Sequence, residues 1–332
     1  MDCVLQTMAD EHIGPGEKSE LFNRTFAQKN SSAAAVSFRT YQDCIKAALR
    51  LCEVNEASVV ALSPLSPAVY SNVLKEFGCK IVYVDVDREN GMPDSQAVAE
   101  STADVLILYE ACASIPVKYN SETTYYERES YGSIKIIEDI SASVGSVLGE
   151  DAKAGEWGSV IICSLEENDV ISAGGGAVLA VKDSFVQQLN ELDVSDYQKL
   201  TDLNASLGLI QLENLAGNSA KRREICDVYA SGMISTKHKK FGLVSIEYKS
   251  NGSSFSVFMD CKPDNLIEFA KRHDVPVVRT FENSACSVIE GDLFEMFPNA
   301  ASYYYRTVSF PVYPFLNAQE IKNISRIVAN LP

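Results

Sequence analysis

The chain has 332 residues, 46% apolar and 22% charged, the profile of a soluble globular protein with room for one large domain and a smaller one. A formal net charge of -16 excludes nucleic acid and anionic membrane surfaces as natural partners, since both would repel it. No apolar run approaches the roughly 20 residues needed to span a bilayer, and the N-terminal MDCVLQTMADEH lacks a signal-peptide core, so a cytoplasmic location is expected.

Residues 1–13 read as a loose leader. Gly14-Pro15-Gly16 is turn chemistry, and Glu17 to Lys29 follows as an amphipathic helix with Leu21, Phe22 and Phe26 on one face. Ala33 to Ser37 predicts a short strand, Tyr41 to Cys52 a helix, Ser58 to Leu62 a strand, and the segment up to Phe77 another helix. KIVYVDVD (80–87) reads as a strand, Pro93 to Glu100 as helical, Val105 to Tyr109 as a strand, and Tyr119 to Tyr131 as loop plus helix. Strands alternating with helices at this spacing predict an α/β fold with a doubly wound, mostly parallel sheet.

The stretch 135–182 is the organising one. An apolar run, Ile134 to Ile137, stops abruptly at Glu138-Asp139, as a buried parallel strand stops at a ligand crevice. A second run, Val160 to Leu165, ends in a polar loop, and Gly174 to Gly176 leads into a third, Ala177 to Val181. Two strand ends offering polar side chains beside a glycine loop make a floor suited to a small charged ligand. Asp183 to Leu192 predicts a helix. Within Asp196 to Tyr229, Leu200, Leu203, Leu207, Ile210 and Leu215 recur at helical spacing, and Lys221 to Glu224 leads a second helix. From about Gly232 the texture changes to short strands. Ser254 to Met259 alternates as a strand, Asp264 to His273 is helical, Val275 to Arg279 is a strand, and Asn317 caps a final amphipathic helix. This divides the chain into a large domain (1–230) and a smaller α+β domain (231–332). Nine cysteines stand singly without a CxxC pair, and His12, His238 and His273 are dispersed. Neither disulfides nor a metal site is expected.

From about Gly14 to its end the chain resembles the DegT/StrS-type sugar aminotransferases, pyridoxal-phosphate (PLP) enzymes of the aspartate aminotransferase fold. The frame carries the resemblance: Gly-Pro-Gly, VDVD, IIED, the glycine loop, the helix around Gln211-Leu212 and Pro311-Val312-Tyr313-Pro314. The resemblance implies a three-layer sheet, a homodimer, and the cofactor contacts of the family. The Asp of the strand ending Glu-Asp holds the pyridine nitrogen, which is here Asp139. The Ser of a later strand meets the phosphate, here Ser164, and the strand-to-helix turn that cradles that phosphate falls on Arg39-Thr40. A family Asn and Arg that reach across the dimer to the neighbouring ligand fall on Tyr197 and Lys199.

The chemistry departs from the frame. The Schiff-base lysine, four residues beyond Ser164, is Asn168. An amide is neither nucleophile nor base, so Asn168 can neither bond the cofactor nor move the proton. The family's Gly in the phosphate turn is Arg39, its stacking aromatic is Pro67, with Tyr70 one helical turn on, and the Gln three residues past the Asp is Ala142. Asp139 and Ser164 are equally compatible with purely structural roles. Three readings follow. The first is a non-transaminating member, a pseudoenzyme, of nucleotide-sugar or surface-polysaccharide metabolism that binds a sugar nucleotide or phosphorylated ligand in the old pocket. The second is an active PLP enzyme with an unorthodox base. The third is a regulatory or scaffolding partner of an active paralogue, favoured if Phe38, Arg39 and Tyr197 fill the pocket.

Overall fold

The computed structural model describes residues 2–9, 13–115, 118–119, 124–125, 134–149, 152–234, 236–242 and 248–331. The apolar runs assemble into a seven-stranded sheet. Its order is β1 (Ala34–Phe38), β11 (Ala177–Val181), β10 (Val160–Ser164), β7 (Lys135–Asp139), β4 (Val105–Tyr109), β2 (Val59–Leu62), β3 (Lys80–Tyr83). Six strands run one way, and β11 alone opposes them, pairing antiparallel with β1 and β10. β10 and β11 are buried at every position, as strands covered on both faces must be, which explains their unbroken apolar sequence. The α/β class with a mostly parallel sheet is the one the alternation of elements predicts.

Alternate side chains of each strand serve two cores. On one face, Ile162 and Leu179 pack with Cys44, Ile45 and Leu49 of α3 (Tyr41–Leu51) and with Tyr70, Val73 and Leu74 of α4 (Ala68–Phe77). On the other, Ile161, Cys163 and Val178 meet Phe22 and Phe26 of α2 (Glu17–Lys29) and Leu209 and Leu212 of α7 (Asp202–Met233). Two short helices, α5 (Ser95–Glu100) and α6 (Val186–Glu191), complete the connections. A second sheet, β12 (Lys239–Lys240), β14 (Phe255–Phe258), β16 (Thr307–Phe310) and β15 (Val278–Arg279), has its own core. Phe255, Val257, Val308 and Phe310 pack there against Ile324, Ile327 and Val328 of α11 (Ala318–Ala329) and against Ile225 and Tyr229 of α7. Three further helices lie in this half: α8 (Asp264–Lys271), α9 (Leu293–Met296) and α10 (Pro298–Arg306).

Several elements differ from expectation. The leader contains a helix, α1 (Asp2–Ala9), held on α7 by the Thr7 hydroxyl bonded to that of Ser206 at 2.9 Å. The two helices expected within 196–229 are one 32-residue helix, since no proline stops it and its two ends are buried in different cores. The domain division expected at residue 230 therefore falls inside α7. β13 (Tyr248–Lys249) pairs with β8 (Val147–Leu148), which in turn pairs with β9 (Ala152–Lys153), so strands from both sides of that division share a ribbon. The VDVD strand ends at Tyr83 because Asp85 turns away to cap α10, its carboxylate accepting from Ala300 N at 2.8 Å and Asn299 N at 3.1 Å. Much of the expected Tyr119–Tyr131 loop and helix lies outside the described residues. Its described parts, β5 (Lys118–Tyr119) and β6 (Thr124–Tyr125), pair as an antiparallel ribbon.

Candidate active site

The C-terminal ends of the parallel strands bring Tyr109, Asp139 and Ile162 abreast in register, with Ser164 two residues further along β10. Asp139 lies on the middle strand and is wholly buried. Burial alone pushes its carboxyl above the usual carboxylate range, and hydrogen bonds from Ser141, Tyr41 and Tyr70 oppose that push. Oδ1 accepts the Ser141 amide at 2.9 Å and the Ser141 hydroxyl. Oδ2 accepts the Tyr70 phenol at 2.7 Å and the Tyr41 phenol. A carboxylate has about four lone-pair directions, and here four donors from the chain take them. The same Ser141 hydroxyl accepts from Ser164 N at 2.8 Å, locking the β7 and β10 ends together.

The two tyrosines arrive by the same device. Tyr41 is the first residue of α3, after β1, and Tyr70 lies in the first turn of α4, after β2. Each helix therefore projects a ring over the strand ends. The rings meet edge to face, centroids 5.8 Å apart, with the hydroxyls 3.2 Å from each other. Burial, then the adjacent Asp139 charge, holds both phenols well above the usual tyrosine range, so both remain donors. In the sequence Tyr70 reads first as a core or surface tyrosine and only second as a substitute for the stacking aromatic; the structure buries it in the core and puts its hydroxyl on Asp139. The sequence does not single out Tyr41, whose one signal is that it directly follows Thr40, the residue that caps α3.

The remaining site residues separate into two groups. Ser164 hydrogen-bonds to the Asp169 side chain, and Asp169 also accepts from Glu166 N at 2.9 Å. Burial raises the Asp169 carboxyl to about 6, the Ser164 bond partly offsetting that and Asp139 adding to it. An ionisable carboxyl therefore adjoins the serine that the resemblance assigns to phosphate. Asn168, beside it, is exposed on the turn. Gly176 closes this loop with φ +100°. A Cβ there would come within 2.5 Å of Phe38 O and 2.7 Å of a Leu200 methyl, which explains the glycine.

The phosphate-turn residues lie outward. Thr40 caps α3, its hydroxyl accepting from Asp43 N at 3.0 Å and donating to the Asp43 carboxylate at 2.7 Å. Arg39 is exposed. Its backbone amide bonds Gln198 O at 2.8 Å and its Nε bonds Lys199 O at 3.1 Å, fastening the 195–199 segment beside β1. A Cβ at position 39 is accommodated because the side chain swings out along that segment. Lys199 pairs with Asp196 at 2.8 Å, and Tyr197 is 88% exposed. Of Phe38, Arg39 and Tyr197, whose filling of the pocket would favour the third reading, only Phe38 is buried; the side chains that reach Asp139 are Tyr41 and Tyr70.

A second acid of the strand end is held separately. Glu138, wholly buried, accepts backbone N–H groups from Gly155 at 2.8 Å, Trp157 at 2.7 Å and Gly158 at 2.5 Å. Glu110, also wholly buried, accepts the Ser143 hydroxyl, and burial followed by the Glu138 charge pushes its carboxyl well above the usual range. Burial raises the Glu138 carboxyl too, but a bond from Glu110 and the three amides oppose that, so the shared proton is assigned to Glu110. This pair fixes the loop carrying Trp157 and is structural.

The family described as DegT/DnrJ/EryC1/StrS aminotransferase matches residues 1–329. Among characterised relatives, the spore coat polysaccharide biosynthesis protein SpsC of Bacillus subtilis (strain 168) is 21% identical over 372 residues, spanning 99% of this chain and 93% of SpsC. Among solved structures, Spr1654 from Streptococcus pneumoniae in its PMP form superposes with a TM-score of 0.85 at 16% identity, covering 99% of this chain and 93% of that one. The same protein is also solved in a PLP form. The aminotransferase TlmJ from Streptoalloteichus hindustanus gives 0.84 at 19% identity, covering 99% and 94%. These likenesses establish the fold.

Proposed function

The chain belongs to the DegT/DnrJ/EryC1/StrS aminotransferase family, and from that premise we propose that it is a member that does not transaminate. In this reading its cofactor site is closed by its own side chains, and it serves nucleotide-sugar or surface-polysaccharide metabolism by binding a phosphorylated ligand or partnering an active paralogue. The observation that carries the reading is the saturation of Asp139 by Tyr41, Tyr70 and Ser141. In the family's arrangement the pyridine nitrogen of PLP would need that carboxylate, and here the phenols stand in its place. Asn168 supplies no amine. The Asp169 carboxyl beside Ser164 would oppose a phosphate by charge and desolvation. These residues do not fit PLP held in the family's manner, so no reaction step is assigned to it. The polysaccharide context rests on the likeness to SpsC.

The reading of an active PLP enzyme is supported by the fold neighbours solved with PLP and PMP. One experiment separates the two. The purified protein is mixed with PLP, reduced with borohydride, and mapped by peptide mass spectrometry. We expect no visible imine band that survives dialysis and no single lysine carrying the pyridoxyl group. A stably coloured protein, fixed on one lysine and losing its colour in an Asp139→Ala variant, would overturn the proposal. Homodimerisation through the face bearing the exposed Tyr197 is part of the same proposal, and light scattering checks it, a monomeric mass arguing against it.

A further inference from the structure

A second concavity, a cleft of about 830 Å³, opens between the small sheet, α10 and the loop after β3, and none of Tyr41, Tyr70, Asp139 or Ser164 lines it. Its charge is opposite to that of the chain. Arg88, Lys237, Lys239 and Arg306 line it against Glu89 and Asp260, in a protein with 45 acidic and 29 basic residues.

The fold brings these cations together by identifiable contacts. Lys239 on β12 lies directly opposite Phe258 on β14, so the two side chains share one face of the sheet. Arg306, at the end of α10, lays its guanidinium over that same Phe258 ring, 4.6 Å from the centroid. Its Nε is fixed on Met259 O at 2.8 Å, and one nitrogen lies 3.4 Å from Asp260. Asp260 is thereby engaged with Arg306. Tyr303, one turn earlier on α10, donates its hydroxyl to Arg88 O and so ties the loop carrying Arg88 to the same helix. Lys237 and Lys239 are exposed and, among the described residues, enter no ion pair. With Lys240 also in the lining, five basic side chains face two acids, Glu89 and the Asp260 already paired with Arg306; the excess of like charge is repulsive, and an anionic ligand relieves it.

We infer that this cleft is a binding site for a polyanionic organic phosphate of nucleoside-diphosphate size. Arg306 and Lys239 would meet the phosphates, with Lys237 and Arg88 at the rim. The volume lies within the range of small-molecule sites, and planar guanidinium and ammonium donors suit phosphate oxygens. The inference goes beyond the loss of transamination and holds whether or not the old pocket takes PLP.

The test is calorimetric titration of the full chain, without PLP, with UDP, inorganic pyrophosphate and uridine. Pyrophosphate and UDP should bind and uridine should not, with affinity falling as salt rises. The double variant K237E/K239E changes two exposed side chains, so it should fold. It should weaken UDP binding by about tenfold to a hundredfold, as loss of charge-assisted contacts does. Absence of UDP and pyrophosphate binding to the native chain, or binding unchanged in K237E/K239E, would overturn the inference. Because no readout here involves an imine or a lysine adduct, its failure is distinguishable from failure of the cofactor proposal.

Discussion

The Tyr70 phenol donates to the Asp139 carboxylate at 2.7 Å from a ring with no exposed surface. A residue on the helix after β2 thus satisfies the charge at the end of β7, and Tyr41 does the same from the helix after β1. Removing one donor leaves a buried carboxyl oxygen short of a partner. Tyr70→Phe keeps the ring and should lower unfolding free energy by about 1.5–3 kcal/mol in urea titration. A change within experimental error would mean that the Tyr41 phenol alone suffices.

Restoring the lysine should not restore the cofactor. Asn168→Lys supplies an amine on an exposed turn, but Asp139 remains occupied and Asp169 still adjoins Ser164. The variant mixed with PLP is expected to show the same absorption spectrum as the native chain. A new imine band in Asn168→Lys would show that the tyrosines yield to the ring.

Asp169 should leave a signature in stability against pH. Its carboxyl loses the proton at about 6 when folded and at about 3.9 when unfolded. Between those values the folded state holds more proton, so its contribution to stability is complete below the lower value and is lost as pH rises through the upper. Asp169→Asn removes the titration and its amide oxygen can still accept from Glu166 N. The variant should flatten the stability profile across that window and be more stable at pH 7 by about 3 kcal/mol, read from denaturation midpoints over a pH series.

The buried pair of glutamates should respond asymmetrically. Glu110 acts as a neutral donor, so Glu110→Gln should change stability by less than about 1 kcal/mol. Glu138 is the charged acceptor of three amides, and Glu138→Gln should cost about 2–4 kcal/mol. A larger cost for Glu110→Gln than for Glu138→Gln would reverse the assignment of the proton.

Gly176→Ala tests the closing of the loop beyond Ser164. At φ +100°, with Phe38 O in the way, the added methyl should cost about 1–3 kcal/mol. A variant as stable as the native chain in thermal melts would show that the loop opens freely.

The sequence by itself determined the frame. Unbroken apolar runs such as VIICS and AVLAV belong to strands covered on both faces, and their alternation with amphipathic helices at α3 and α4 leaves few arrangements other than a mostly parallel sheet. It also displayed the departure at Asn168, because that residue is read from a spacing within one segment. What occupies Asp139 could not be read that way. Tyr41 and Tyr70 lie 98 and 69 residues away along the chain, and a tyrosine in the first turn of an amphipathic helix looks the same whether its hydroxyl meets water or a buried carboxylate. Only the order of strands in the sheet, which sets β7 among neighbours distant in the chain, decides that both phenols converge on one acid. The basic cleft has the same origin. Arg88, Lys239 and Arg306 come from three separate segments, and it is the pairing of β12 with β14 and the docking of α10 that concentrate positive charge in a chain whose composition is acidic.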